Sequence, residues 1–335
     1  MSEDNPLPVA AIARTDFHAA IRRNGWNTLR LCAVLVLVGM ALGYGLGWAL
    51  EIYFQVADGY DPSADYNDIA RLSDWGLRGG AIMLTASGIW IAVALTRGDR
   101  IVLGLAGARL ATRSQEPQLH NLVEEMALAS GLPKPQVAVI DTPALNAFAT
   151  GLKPERATIA VTRGLMDELN RSELQGVVAH EMSHIANNDI LYATAVGVMV
   201  GLIVLVSDAA LRSLRFAGRG RSRGNRKGGA ALVLVVVLVF ALVAPLAARL
   251  VQMAISRQRE YMADATAVKF TRNPEGLVGA LQKIAGSKLP YEGANRAIQH
   301  LYISNPLKHF RPGAGALFST HPAVEERIAR LRNLR

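Results

Sequence analysis

Four apolar blocks constrain this chain more than any other feature. They run from about Leu29 to Tyr53, Gly76 to Leu95, Ile190 to Leu211 and Ala230 to Val251. Each is about 20 residues long, the length an α-helix needs to cross roughly 30 Å of hydrocarbon. The chain is 51% hydrophobic but only 6% aromatic, and its apolar content is gathered into these blocks. That concentration points to a membrane. The 335 residues then leave room for a domain outside the spans.

The first two blocks read as a transmembrane hairpin. Gly39, Gly43 and Gly47 recur every four residues, a spacing that lets another helix approach closely, although glycine is also simply common in membrane helices. Arg22, Arg23 and Arg30 precede the first block, and Arg97, Arg100, Arg109 and Arg113 follow the second. The loop between carries Glu51, Asp58, Asp61, Asp65, Asp68 and Asp74 against Arg71 and Arg78. The positive-inside rule therefore places the N-terminus and everything just after Arg97 in the cytoplasm. The third and fourth blocks pose a conflict. Their length favours spanning, but the loop joining them holds Arg212, Arg215, Arg219, Arg221, Arg223, Arg226 and Lys227, which opposes it. Spanning is the expectation, giving about four transmembrane helices.

The formal net charge is +9. Basic residues flanking spans account for it, and no nucleic-acid partner is expected. Cys32 is the one cysteine, which excludes an internal disulfide and metal binding through cysteine pairs. A mostly polar stretch precedes the first block, so a cleavable signal is not expected.

Residues 98–189 look soluble. Pro117–Ser130 reads as a helix, with Leu119, Leu122, Val123 and Met126 on one stripe and Gly131 as its stop. Strands are expected at Gln136–Ile140 and about Thr158–Val161. Ser172 is expected to cap the next helix, with Gln175 completing an S-x-x-Q box. Residues from about Ser256 to Arg335 read as mostly helical. The fold class is thus mainly α with a small β-sheet, in an integral membrane protein. The expected divisions are an N-terminal segment (1–28), the hairpin (29–96), a first catalytic part (97–189), two hydrophobic helices joined by a basic loop (190–252) and a second catalytic part (253–335).

The helix expected after Ser172 carries His180-Glu181-Met182-Ser183-His184. Residues four apart lie on one helical face, so both imidazoles can reach one metal ion. Zinc suits such ligands and brings the pKa of a bound water to about 7. Glu181, swung round from His180, is placed to take that water's proton. The alternative is a pair of surface histidines on an ordinary helix. A catalytic zinc needs a third protein ligand, and Glu260, on a later stretch in helical register, is the candidate. Asp264, one turn on, can accept the Nδ1 proton of a ligating histidine. His18, His120, His300 and His309 have no partner pattern and read as ordinary surface or core residues. Gly220-Arg221-Ser222-Arg223-Gly224 matches G-x-S-x-G but lacks the strand and helix of a nucleophile elbow.

These motifs, with Phe318-Ser319-Thr320-His321-Pro322 and Glu325-Glu326-Arg327-Ile328, resemble the HtpX heat-shock proteases, whose clan includes the CAAX prenyl proteases. The resemblance covers most of the chain; Ala323 stands where the family often has a second proline. It implies a zincin-like catalytic domain of the glutamate-ligand type. It implies zinc held by His180, His184 and Glu260, with Glu181 as base. It implies His321 beside the tetrahedral oxyanion, assisted by Arg327, and Asn146, Ala147, Phe148 and Ala149 as a strand edge that holds substrate backbone. An edge strand accepts extended peptides through main-chain hydrogen bonds, which suits a protease reading many sequences. Expected partners are peptide or membrane-protein substrates, damaged ones by the resemblance, and the lipid bilayer. The expected location is a bacterial inner membrane, with the catalytic domain facing the cytoplasm. A prenyl-protein peptidase and a zinc-stabilised adaptor that does not cut are the alternatives. Four blocks are few for the first, and the intact Glu181 speaks against the second.

Overall fold

In the computed structural model the described residues are 17–57, 72–198, 257–289, 291, 295, 298–304 and 322–334. Helix α1 spans Phe17–Ala57 and α2 spans Asp74–Leu105. Both contain a stretch long and apolar enough to cross a membrane, Thr28–Ile52 and Asp74–Leu105. The fourth block and the end of the third lie outside the described residues, so four spans remain an expectation.

The chain divides into two compact units. Over the described residues, one falls within Leu29–Leu95 and the other within Met1–Thr28, Thr96–Gly201 and Val251–Arg335. In the first unit the glycine stripe is a contact. A Cβ on Gly43 would sit 2.4 Å from the Gly79 carbonyl oxygen, and one on Gly79 would sit 2.2 Å from the Gly43 carbonyl oxygen. Only hydrogen at both positions lets the two backbones approach this closely.

The second unit is built on a four-stranded sheet in the order β1-β2-β4-β3. The strands are β1 (Ala108–Leu110), β2 (Gln136–Ile140), β3 (Ala147–Thr150) and β4 (Thr158–Thr162). β2 and β4 run parallel, and the other pairs are antiparallel, with Ala147 opposite Val161 and Thr150 opposite Thr158. β3 is therefore a sheet edge. Alternate residues Val137, Val139, Ile159 and Val161 point into one hydrophobic core, as a period of two requires.

Helix α3 (Pro117–Ser130) packs on that core through Leu119, Leu122, Val123 and Met126, and Gly131 ends it with φ 70°. A left-handed residue at this position costs glycine little. The short α4 (Arg163–Glu168) follows β4, and α5 (Arg171–Ala186) is the central helix. Its cap corrects the sequence expectation. Asn170, not Ser172, accepts the Glu173 backbone N–H, while the Glu173 carboxylate accepts the Asn170 N–H. Ser172 lies inside the first turn, where its Oγ accepts a hydrogen bond from Asn273. Both S-x-x-Q and N-x-x-E fit the capping-box pattern. Glu173 prevails because it also pairs with Lys283 at 2.8 Å.

After α5, Asn188 takes φ 58° and turns the chain into α6, Asp189–Val198. α6 is the start of the third apolar block, and it is core: Ile190, Ala195, Val196 and Val198 are buried. Thr194 Oγ1 accepts the Gly151 N–H and bonds Thr150 Oγ1 at 2.9 Å. Helices α7 (Arg257–Thr271) and α8 (Pro274–Gly286) pack on α5, and α9 (Val324–Arg332) packs on α7 and α8.

Candidate active site

α5 is buried along most of its length, and His180, Glu181 and Ser183 face protein, not water. His180 and His184 stand one turn apart with ring centroids 4.9 Å from each other. α7 brings Glu260 to both: Oε2 is 3.8 Å from His180 Nε2, and Oε1 is 3.7 Å from His184 Nε2. One ligand atom from each of the three residues lies within 4.8 Å of the others. Ligands at about 2.1 Å in a tetrahedron stand about 3.4 Å apart, so this donor set fits a zinc-sized ion.

Each imidazole has its other nitrogen engaged. His180 Nδ1 lies 2.9 Å from Asp264 Oδ1, as the sequence anticipates for a ligating histidine. His184 Nδ1 lies 3.2 Å from Asp189 Oδ2. Such carboxylates fix tautomer and ring orientation. Asp189 escaped the sequence reading because it follows a turn and opens an apolar block, with no motif spacing to mark it.

Arg327 sits behind this layer. It is 1% exposed, and its Nε and Nη2 donate to Asp264 at 2.8 and 2.7 Å. Its Nη1 is 3.6 Å from Glu260 Oε2. The guanidinium therefore holds Asp264 behind His180 and also reaches the candidate ligand Glu260. His321 lies outside the described residues.

Electrostatics follow from burial and pairing. Burial, reinforced by Glu260, pushes the Glu181 carboxyl up to about 7, while His184 and the Ala149 backbone N–H act in the opposite sense. Burial also lowers His180. For His184 burial opposes charge, but the Asp189 hydrogen bond and Glu260 prevail and raise it to about 9. Asp264 is buried too, yet Arg327 holds it below the usual carboxylate range.

Of the expected substrate edge, Ala147 to Ala149 lie on β3 and Asn146 immediately precedes it. Ala149 lines the same cavity as His180, Glu181, His184 and Glu260. That cavity measures about 50 Å³, and His300, Leu301, Tyr302 and Ile303 also line it. His300, set aside on sequence grounds, is buried here with Nε2 bonded to the Ala193 carbonyl at 3.0 Å. Asn146 is 2% exposed and bonded to Ser304, and the Ala147 carbonyl accepts the Ile303 N–H. Phe148 is buried and meets Tyr302 edge-to-face at 5.1 Å.

A centre of this kind belongs to the metal-dependent hydrolases of peptide bonds, and comparison with known proteins agrees. The pattern of peptidase family M48 spans residues 113–335, and the chain belongs to that family. Its relatives place it among the HtpX-type proteases, making it a metalloprotease. It is 45% identical to a protease HtpX homolog of Thermoanaerobacter pseudethanolicus over 262 residues, 78% of this chain and 86% of the relative. It is 47% identical to one of Dictyoglomus thermophilum over 240 residues, 71% and 76%. It is 41% identical to one of Streptococcus equi subsp. equi over 266 residues, 78% and 89%. The crystal structure of S. mikatae Ste24p shares 21% identity, covering 75% of this chain and 57% of its own, with a TM-score of 0.44.

Proposed function

We propose that this chain is a zinc-dependent, membrane-anchored endopeptidase in which His180, His184 and Glu260 hold the ion and Glu181 is the general base. The observation that carries this reading is the convergence of two α5 imidazoles and the α7 carboxylate within 4.8 Å, with Glu181 beside them. When bound, zinc polarises the scissile carbonyl and acidifies a water. Glu181 takes the proton from the attacking water and delivers it to the leaving amine. A carboxyl raised to about 7 suits both halves of that transfer near neutral pH. Asp264 and Asp189 hold the imidazoles in register, and Arg327 is a positioning residue through Asp264. Asn146 to Ala149 hold an extended substrate by its backbone.

The apolar stretches in α1 and α2 supply the anchor, with the catalytic unit on the cytoplasmic side of a bacterial inner membrane. Proximity to the bilayer favours membrane proteins and membrane-proximal segments as substrates, and the resemblance to heat-shock proteases points to damaged ones. Metal analysis and casein digestion test the chemistry together. Glu181→Gln is expected to retain zinc at the wild-type stoichiometry and lose cleavage by at least about 100-fold. Retained cleavage in that variant sinks the assignment.

A further inference from the structure

The edge of β3 is already occupied by the chain itself. Asn146 bonds inward, its carbonyl accepting the Thr162 N–H at 3.0 Å. By the alternation of an antiparallel strand, Ala147 and Ala149 then direct their backbone groups outward. The outward carbonyl of Ala147 accepts the Ile303 N–H at 2.9 Å. One residue further on, the Asn146 side chain grips a whole residue's backbone. Its Nδ2 donates to the Ser304 carbonyl at 2.8 Å, and its Oδ1 accepts the Ser304 N–H at 3.3 Å. Neither contact reads a side chain, so any extended peptide can make them.

Residues 301–303 also wall the cavity at the centre, leaving about 50 Å³. The segment is pinned from behind. Tyr302 is fully buried, its hydroxyl bonds that of Tyr291 at 3.0 Å, and its ring packs on Phe148. Yet among the described residues its main-chain pairing with β3 is a single backbone bond, because residues 302–304 bend and do not run as a strand. A substrate lying along the whole of β3 makes a longer ladder and can compete.

We infer that residues 301–304 are a self-ligand: they occupy the β3 edge beside the centre, and substrate must displace them to be cut. This rests on the reading of β3 as the substrate edge. The opposing possibility is a permanent wall of the cleft, which substrate contacts without moving.

Hydrogen–deuterium exchange on the zinc-loaded wild type in detergent separates the two. The probe is an extended tripeptide bearing a terminal hydroxamate, with binding followed by calorimetry. Displacement predicts that peptides covering Ile303 and Ser304 exchange at least about fivefold faster when the probe is bound. Unchanged or slower exchange with the probe bound overturns the self-ligand and leaves the protease reading intact. Failure of the probe to bind the zinc-loaded protein overturns both. Ile303→Pro gives a second measurement, since it removes the one N–H bonded to Ala147. A rise in kcat/KM on casein of about three- to tenfold, the worth of one backbone hydrogen bond, is expected. A fall, in a variant whose thermal midpoint matches wild type, overturns the proposal.

Discussion

Glu181 shows how far a single residue can be read from sequence. Its neighbours in H-E-x-x-H announce a base, but not the environment that tunes it. Burial to 2% exposure and the nearby Glu260 carboxylate come from other helices, and they raise its carboxyl from 4.5 to about 7. A carboxyl raised on folding contributes stability that is fully present below about pH 4.5 and is lost as pH rises through about 7. In chelator-stripped protein, Glu181→Gln is therefore expected to match wild type near pH 4.5 and to exceed it at pH 8. The gain is at most about 3 kcal/mol, the upper bound set by the displacement from 4.5 to about 7. Thermal midpoints at the two pH values check it; equal midpoints at pH 8 refute the burial argument. Asp189 and His300 mark the opposite limit. Each reaches the site through a turn, Asn187–Asn188 in one case and the 298–304 segment in the other, and a turn leaves no periodic signal.

At the level of elements, periodicity was a reliable guide wherever local and global demands agreed. Helix Pro117–Ser130 and strand Gln136–Ile140 have the bounds their patterns imply, because stripe, turn residue and core face coincide. The start of α5 is ambiguous in sequence because two capping patterns, Asn170–Glu173 and Ser172–Gln175, overlap. What decides between them is Lys283 on α8, which fixes Glu173 from another part of the chain. The pairing gives a direct comparison. Asn170→Ala removes the acceptor for an N3 amide and is expected to destabilise the catalytic unit by about 1 kcal/mol. Ser172→Ala removes one exposed side-chain bond to Asn273 and is expected to change stability by less than about 0.5 kcal/mol. Reversed magnitudes in parallel denaturant titrations would restore Ser172 as the cap. The glycine stripe followed a similar logic: spacing predicted close approach, and only the partner backbone at Gly79 turns spacing into contact.

For the whole molecule, hydropathy located apolar blocks but could not separate lipid-facing from protein-facing ones. The opening of the third block fills the catalytic core, where Ile190 and Thr194 meet β3 and its turn. A run of apolar residues carries the same signal whether hydrocarbon or side chains surround it. Orientation rests on a different quantity, the charge asymmetry about α1 and α2. Arg22, Arg23 and Arg30 on one flank and Arg97, Arg100, Arg109 and Arg113 on the other are expected on the cytoplasmic face by the positive-inside rule, with the acidic loop across the bilayer. Cys32 is the sole cysteine and is buried, so a Cys32→Ser background permits site-specific labelling. Ala129→Cys, exposed on α3, is expected to react with a membrane-impermeant maleimide in inverted vesicles and not in right-side-out ones. Asp61→Cys in the acidic loop is expected to show the reverse. Labelling of both sites from the same side would remove the hairpin, because one crossing must lie between each site and the other's compartment. Labelling in the opposite sense would keep the hairpin but move the catalytic unit outside, and the arginine flanks would then need a local partner to explain their export.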